Sequence, residues 1–93
     1  MKGGKEFYDK LKKQLDETTV FPSDYLYKFI VTSDDNNVAK VQKIFDNKGA
    51  VIKTRKSKNG TYNSISIMIK VSSSEEVINH YKEAEKIEGI ISL

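Results

Sequence analysis

The dipeptide Asn59-Gly60 interrupts a stretch of alternating aliphatic and polar residues at 50–71, and no other feature of the sequence constrains the fold as strongly. Asn-Gly favours a two-residue type I′ turn, because both central residues of that turn need positive φ. A loop of this length determines which residues face each other across the hairpin, and it pairs Arg55 with Ser64. The sequence therefore predicts a β-hairpin with a defined register.

This register separates the side chains of the hairpin into two chemically different sets, because neighbouring residues of a strand point to opposite faces. A slip by one residue would bury the lysines, so we expect the register to be well defined. The face predicted to be buried carries Ala50, Ile52, Thr54, Ile65, Ile67, Ile69 and Val71, and the open face carries Val51, Lys53, Arg55, Ser57, Tyr62, Ser64, Ser66, Met68 and Lys70.

The positive charge of the protein is concentrated in the hairpin. Residues 47–74 contain six basic side chains and no acidic one, whereas the formal net charge of the whole chain is +3. One interpretation is that the lysines protect an edge strand from pairing with other chains. The other is a local patch that binds anions.

Hydroxyl groups accompany the basic side chains on the open face. Serine and tyrosine hydroxyls provide directional hydrogen bonds, while lysine and arginine provide charge. The alternative is that these side chains form the ordinary polar surface of a sheet with one solvated face. The candidate binding surface consists of Lys28, Lys53, Arg55, Ser57, Tyr62, Ser64 and Ser66.

An amphipathic helix is predicted near the start of the chain, at residues 5–17. Phe7, Leu11 and Leu15 are spaced four residues apart and form one apolar stripe. Exposing three large apolar groups to solvent would be unfavourable. We therefore expect the stripe to lie over the open sheet face or to pack against a second copy of the chain.

The remaining pattern alternates strands and helices: a strand at 25–32, a helix at 38–47, the hairpin, a helix from Ser73 and a strand at 87–93. Ser73 and Glu76 have the spacing of a capping box. Ile87, Ile91 and Leu93 are predicted to share one side of the last strand. The predicted core residues outside the hairpin are Tyr25, Tyr27, Phe29, Val31, Val38, Val41, Ile44, Phe45, Val77, Ile78, Tyr81 and Ala84.

The order β-α-β-β-α-β predicts an α+β fold of the ferredoxin-like type, a sandwich of a four-stranded antiparallel sheet with two helices on one face. Right-handed crossovers would place the first and third strands at the centre of the sheet. The predicted organisation is an N-terminal helix or arm at 1–20 and a ferredoxin-like domain at 21–93.

Several types of site lack the residues that they need. The chain has no cysteine, which excludes disulfides and thiolate zinc sites. His80 is the only histidine, and we expect it at the solvated rim of a helix rather than in a metal site or catalytic triad. Asp34 and Asp35 are expected to cap the helix that follows them, and Gly49 to end it. We expect no enzymatic activity, no cofactor and no metal.

Membrane and export signals are also missing from the sequence. No apolar run approaches the ~18 residues that a membrane-spanning helix needs. Residues 1–13 are too charged for a secretory signal. The expected compartment is the cytoplasm, without a membrane partner.

Two motifs resemble a known family. They are Phe21-Pro22-x-x-Tyr25-x-Tyr27-Lys28 and Ser57-Lys58-x-Gly60-x-Tyr62-x-Ser64-x-Ser66. They resemble the YbeD-like family of small bacterial proteins of unknown function. The resemblance implies a ferredoxin-like sandwich similar to the ACT-type regulatory domains of amino-acid metabolism, and it implies no catalytic residues. The loop at 33–37 lacks the glycine of amino-acid-binding ACT domains, so a regulatory role rests on analogy.

These observations leave two classes of function open. The first is a non-enzymatic regulatory or protein-interaction module, a homodimer among the options, that binds a protein partner or a small anionic ligand on the open sheet face. The alternative is binding of single-stranded RNA through the basic hairpin face, as RNA-recognition modules of this topology do. Nucleic acid is not favoured, because Tyr62 is the only aromatic residue predicted on that face.

Overall fold

The structure, a computed structural model, describes residues 4–34 and 36–93. Asp35, one of the two aspartates predicted to cap a helix, lies outside these residues. The elements are α1 (Lys5–Thr18), β1 (Ser23–Thr32), α2 (Asn37–Ile44), β2 (Val51–Lys56), β3 (Tyr62–Val71), α3 (Ser74–Glu85) and β4 (Ile91–Ser92).

The four strands form one antiparallel sheet in the order β2-β3-β1-β4. The two ten-residue strands, β1 and β3, occupy its centre as predicted and pair along their whole length. The helices α2 and α3 lie on one side, while the opposite side of the sheet is open. The predicted α+β fold, with its four-stranded antiparallel sheet and additional N-terminal helix, is confirmed.

The register of the hairpin is as predicted, but its turn is not. Arg55 faces Ser64 and the pairing continues in step to the start of β2. The turn is built differently: the Gly60 N–H donates to the Ser57 carbonyl oxygen at 2.9 Å. Gly60 has a φ of 74°, whereas Asn59 does not adopt positive φ. The type I′ prediction, which needs positive φ at both residues, is therefore wrong.

The core lies between the sheet and the two helices. The residues predicted to be buried on β1 and β3 are buried, except that Tyr25 is half-buried. On β2, Ile52 is half-buried and Thr54 is exposed, because β2 is an edge strand. The fully buried side chains include Tyr27, Phe29, Val31, Val41, Phe45, Ile65, Ile67, Val71, Val77 and Ile90.

The N-terminal helix packs against α3 of the same chain and leaves the sheet face open. The predicted stripe was wrong in one position: Phe7 is 49% exposed, and its neighbour Tyr8 is buried instead. Tyr8, Leu11 and Leu15 are spaced by three and four residues, so they too share one face of the helix.

Polar contacts hold α1 at both ends of this interface. The Tyr8 hydroxyl donates to the Glu85 carboxylate. The Ser74 hydroxyl donates to Asp16 at 2.6 Å, at the start of α3. The predicted division into an arm at 1–20 and a domain at 21–93 stays a prediction.

The helix ends differ from the expected ones in detail. Ser73 caps α3 as predicted, since its hydroxyl accepts the Glu76 N–H at 3.2 Å. Asn36 is the N-cap residue of α2, and no side chain of the described residues caps the start of this helix. α2 ends at Ile44, so the predictions of a helix to residue 47 and of Gly49 as the residue that ends it were wrong.

The C-terminal strand is shorter than predicted. β4 has two residues, and a turn at 86–89 separates it from α3. Ile87 is buried in this turn, and Ile90 is buried although it was not predicted to be. Ile91 and Leu93 were predicted to share one side of the strand with Ile87, but unlike Ile87 they are exposed, because their side of β4 belongs to the open sheet face.

Substitutions on α1 test which of its faces is docked. Leu15→Ala is expected to lower the free energy of unfolding by about 2–3 kcal/mol, because it leaves a cavity at the α1–α3 interface. Phe7→Ala, the matched control, should change it by less than about 0.5 kcal/mol, since Phe7 is exposed. Urea unfolding measures both values. Equal losses for the two variants would contradict this packing.

Candidate functional site

Lys28, Ser66 and Lys53 lie side by side across the three main strands, and we call them the basic row. Lys28 on β1 faces Ser66 on β3, which faces Lys53 on β2. Lys28 and Lys53 are exposed and Ser66 is half-buried between them. The register thus places Lys28 of β1 and Lys53 of β2 on either side of Ser66.

A second part of the candidate surface lies next to the basic row, toward the hairpin turn. Arg55 faces Ser64, and Ser64 faces Ile30 on β1. The Ser64 hydroxyl donates to the Arg55 carbonyl oxygen at 3.4 Å. This hydroxyl is therefore already occupied in the hairpin.

The hairpin end carries Ser57 and Tyr62. The Ser57 hydroxyl accepts the Tyr62 N–H at 3.1 Å, so it supports the turn. Tyr62 is 47% exposed. A shallow cleft of about 460 Å³ lies here, lined by Ile30, Arg55, Lys56, Ser57, Lys58, Tyr62 and Ser64. The cleft brings together four of the seven predicted residues, while the basic row lies outside it.

An apolar row lies on the other side of the basic row, and the predicted site did not include it. Leu26 faces Met68, which faces Val51. All three side chains are exposed, by 44%, 41% and 59%. The hairpin pattern alone places Val51 beside Met68. The sequence does not show how β1 aligns with β3, and this alignment is what places Leu26 beside Met68.

The charges of the open face are mostly positive. Lys28, Lys53, Arg55 and Lys70 are on this face, and Asp24 is the acidic residue of β1 that faces Lys70. The surface therefore offers cations beside an apolar row. Among residues 4–34 and 36–93 no group of three or more histidine, cysteine, aspartate or glutamate side chains is placed to hold a metal ion. No helix in the same residues is both long and apolar enough to cross a membrane.

A polar chain that the sequence did not predict lies on the opposite, helical side of the sheet. His80 is 4% exposed, so the expectation of a solvated rim position was wrong. Its Nδ1 lies 2.9 Å from the Tyr27 hydroxyl, and its Nε2 lies 3.3 Å from the Lys48 Nζ. The Tyr27 hydroxyl in turn lies 3.3 Å from the Val77 carbonyl oxygen, to which it donates.

This arrangement defines the protonation state of His80. The Lys48 ammonium can only donate, so Nε2 accepts and Nδ1 carries the proton that is donated to Tyr27. Burial, followed by the nearby Lys48 charge, lowers the pKa of His80, while Glu76 acts in the opposite direction. Burial also raises the pKa of the Tyr27 hydroxyl. The His80 and Tyr27 side chains are therefore both uncharged at neutral pH.

Comparison with known proteins gives the family. Residues 16–93 match the family model described as "Protein of unknown function (DUF493)". The chain belongs to this family. The predicted resemblance to YbeD-like small bacterial proteins is thereby confirmed. The DUF493 match begins within the last turn of α1 and includes every strand of the sheet.

Two relatives agree with this assignment, and a solved structure shares the fold. A UPF0250 protein of Shewanella halifaxensis is 34% identical over 84 residues, which cover 86% of this chain and 94% of the relative. A UPF0250 protein of Shewanella woodyi is 37% identical with the same coverage. The solution structure of HP0495 from Helicobacter pylori is similar with a TM-score of 0.64 at 18% identity, covering 82% of this chain and 86% of that protein. At this identity the last similarity concerns the fold alone.

The buried histidine makes the stability of this DUF493 protein depend on pH. The pKa of His80 lies below its ordinary 6.5, so the unfolded chain binds the proton first as the pH falls. The free energy of unfolding should be fully retained above pH 6.5 and decrease as the pH drops below it. Urea unfolding at a series of pH values measures this slope. Since His80 is the only histidine, His80→Gln should abolish the decrease near pH 6; a slope that survives in the variant would refute this origin.

Proposed function

We propose that this DUF493 protein is a non-enzymatic interaction module of a regulatory kind, which binds an acidic protein partner through its open sheet face. The observation that carries the proposal is the position of the basic row beside the apolar row. An apolar centre with a polar rim is the usual composition of a protein–protein interface. The four cations and one carboxylate described on this face make an acidic partner the complementary one.

The shape of the face supports a protein partner over a small ligand. Small-molecule sites are usually concave and enclose most of the ligand. The cleft at the hairpin end does not include the basic and apolar rows, which lie outside its lining. Rows that extend across three strands outside a cleft suit the broad contact of a second protein.

The location of His80 supports a non-enzymatic role. Both ring nitrogens are engaged with Tyr27 and Lys48 in the helical layer. The serines of the candidate surface lie on the opposite face of the sheet. A serine–histidine pair for nucleophilic catalysis is therefore not assembled from these residues.

Single-stranded RNA is the second candidate, favoured by the basic hairpin and by Tyr62 beside Arg55 in the shallow cleft. RNA-recognition modules of this topology stack bases on aromatic side chains of the two central strands. Here the open face of β1 presents Leu26, Lys28 and Ile30 in that position. The aromatic platform is thus limited to one residue at the end of β3.

Charge reversal on the sheet tests the proposal. A tagged protein is used to capture partners from its native cell extract, and the partner obtained is then titrated with purified variants. Lys53→Glu with Arg55→Glu is expected to weaken its binding by at least about tenfold, because both side chains are exposed at the proposed contact. Lys10→Glu with Lys13→Glu, on the exposed side of α1, is the control with the same change in net charge, and it should bind as the unchanged protein does.

Two outcomes would overturn the protein-partner proposal. One is equal binding by both double variants. The other is saturable binding of a mixed-sequence single-stranded RNA that persists when the salt concentration is raised from about 50 to 200 mM, because nonspecific charge binding is lost over this range. The second outcome would favour the RNA candidate.

A further inference from the structure

A second cleft lies on the helical side of the molecule, between α2 and α3. Its volume is about 590 Å³, within the usual range for small-molecule sites. Residues of α2 and the turn after it form one wall, and residues of α3 form the other. The charged and titratable residues of its lining are Lys40, Lys43, Lys48, Glu76, His80 and Glu83.

The three lysines of this cleft have no carboxylate partner within the part of the chain that the structure describes. Among the described residues, no carboxylate oxygen lies within 4.0 Å of Lys40, Lys43 or Lys48. The two glutamates of the cleft are bonded elsewhere. The Glu76 carboxylate accepts the Ser72 N–H at 3.1 Å, and the Glu83 carboxylate accepts from Lys86 at 3.2 Å.

The buried imidazole gives the cleft a defined inner wall. His80 accepts from Lys48, which holds this ammonium at the cleft and leaves its other N–H groups free to donate. The groups that face His80 are Tyr27 from β1, the Phe45 ring from the end of α2, Lys48 from the turn, and Glu76 from α3. A neutral imidazole beside an ammonium can bind one more proton when negative charge arrives.

We propose that the cleft between α2 and α3 binds a small molecule that carries a phosphate group, held by Lys40, Lys43 and Lys48 with His80 at the inner wall. A doubly charged oxyanion matches several ammonium groups that no described carboxylate neutralises, and lysine binds phosphate as a point charge. The cleft volume of about 590 Å³ suits a small ligand better than nucleic acid, and Glu76 and Glu83 on the α3 side direct the anion toward the lysines of the α2 side. This site is separate from the open sheet face and does not depend on the proposed protein partner.

The ligand should also change the protonation of His80. Negative charge near Nε2 favours the imidazolium form, which then donates to the ligand. The Lys48 ammonium is released from His80 at the same time and turns toward the anion. Binding is thus expected to take up a proton near neutral pH.

Nuclear magnetic resonance titration of the full chain tests the site. The probes are inorganic phosphate and glucose 6-phosphate, added at constant ionic strength, and they distinguish the free ion from a phosphate ester. We expect saturable shifts of the His80 ring and of α2 and α3 amides with at least one probe, together with an upward shift of the His80 titration midpoint. Lys48→Gln should weaken binding by about tenfold, the effect of losing one hydrogen bond to a charged group.

Two further variants keep the test decisive. Lys43→Gln removes a cleft charge without touching the His80 contact, and it should also weaken binding several-fold. Lys53→Gln, the control on the open sheet face, removes the same charge and should leave the dissociation constant within about twofold. Shifts that grow linearly without saturation, or an equal loss in Lys53→Gln, would overturn the proposal.

Discussion

The register between β2 and β3 is the constraint on which the rest of the structure depends. Ile52 faces Ile67 and Lys53 faces Ser66, so one face of the hairpin is apolar and the other basic. The same two faces continue across β1, because β1 and β3 pair along ten residues. A shift by one residue would exchange the faces, burying Lys53 against the helices. Both the core and the candidate surface follow from this single alignment.

The fold was predictable where the pattern is local and repeated. Alternation along β1 and β3 predicted their core face, and the right-handed crossovers predicted their central position. The error on α1 has a simple physical reason: Phe7 and Tyr8 are adjacent aromatics, and either can complete a stripe with Leu11 and Leu15. The choice depends on α3, where the Glu85 carboxylate accepts from the Tyr8 hydroxyl. That partner is 77 residues away in the sequence, and no helical period reveals it.

The candidate site was predictable to a similar extent. Strand alternation was enough to group Lys53 and Arg55 on the open face, but the apolar row needed the alignment of β1, which brings Leu26 beside Met68. His80 illustrates the opposite case. A single polar residue on a helix is normally exposed. Here the contacts with Tyr27 and Lys48 satisfy both ring nitrogens, so that the side chain can be buried. The folded protein therefore has two lysine-containing surfaces. One is the open sheet face, and the other is the cleft between α2 and α3.

The measurement that tests this account most directly is the set of contacts between backbone α-protons across the hairpin in a nuclear Overhauser experiment. In this register Ile52 and Ile67 form a closely spaced, non-hydrogen-bonded pair, as do Thr54 and Ile65. The account predicts strong α-proton contacts within both pairs. Strong contacts of Ile52 with Ser66 or Met68 instead would show a shifted register, and the described faces of the sheet would then be incorrect.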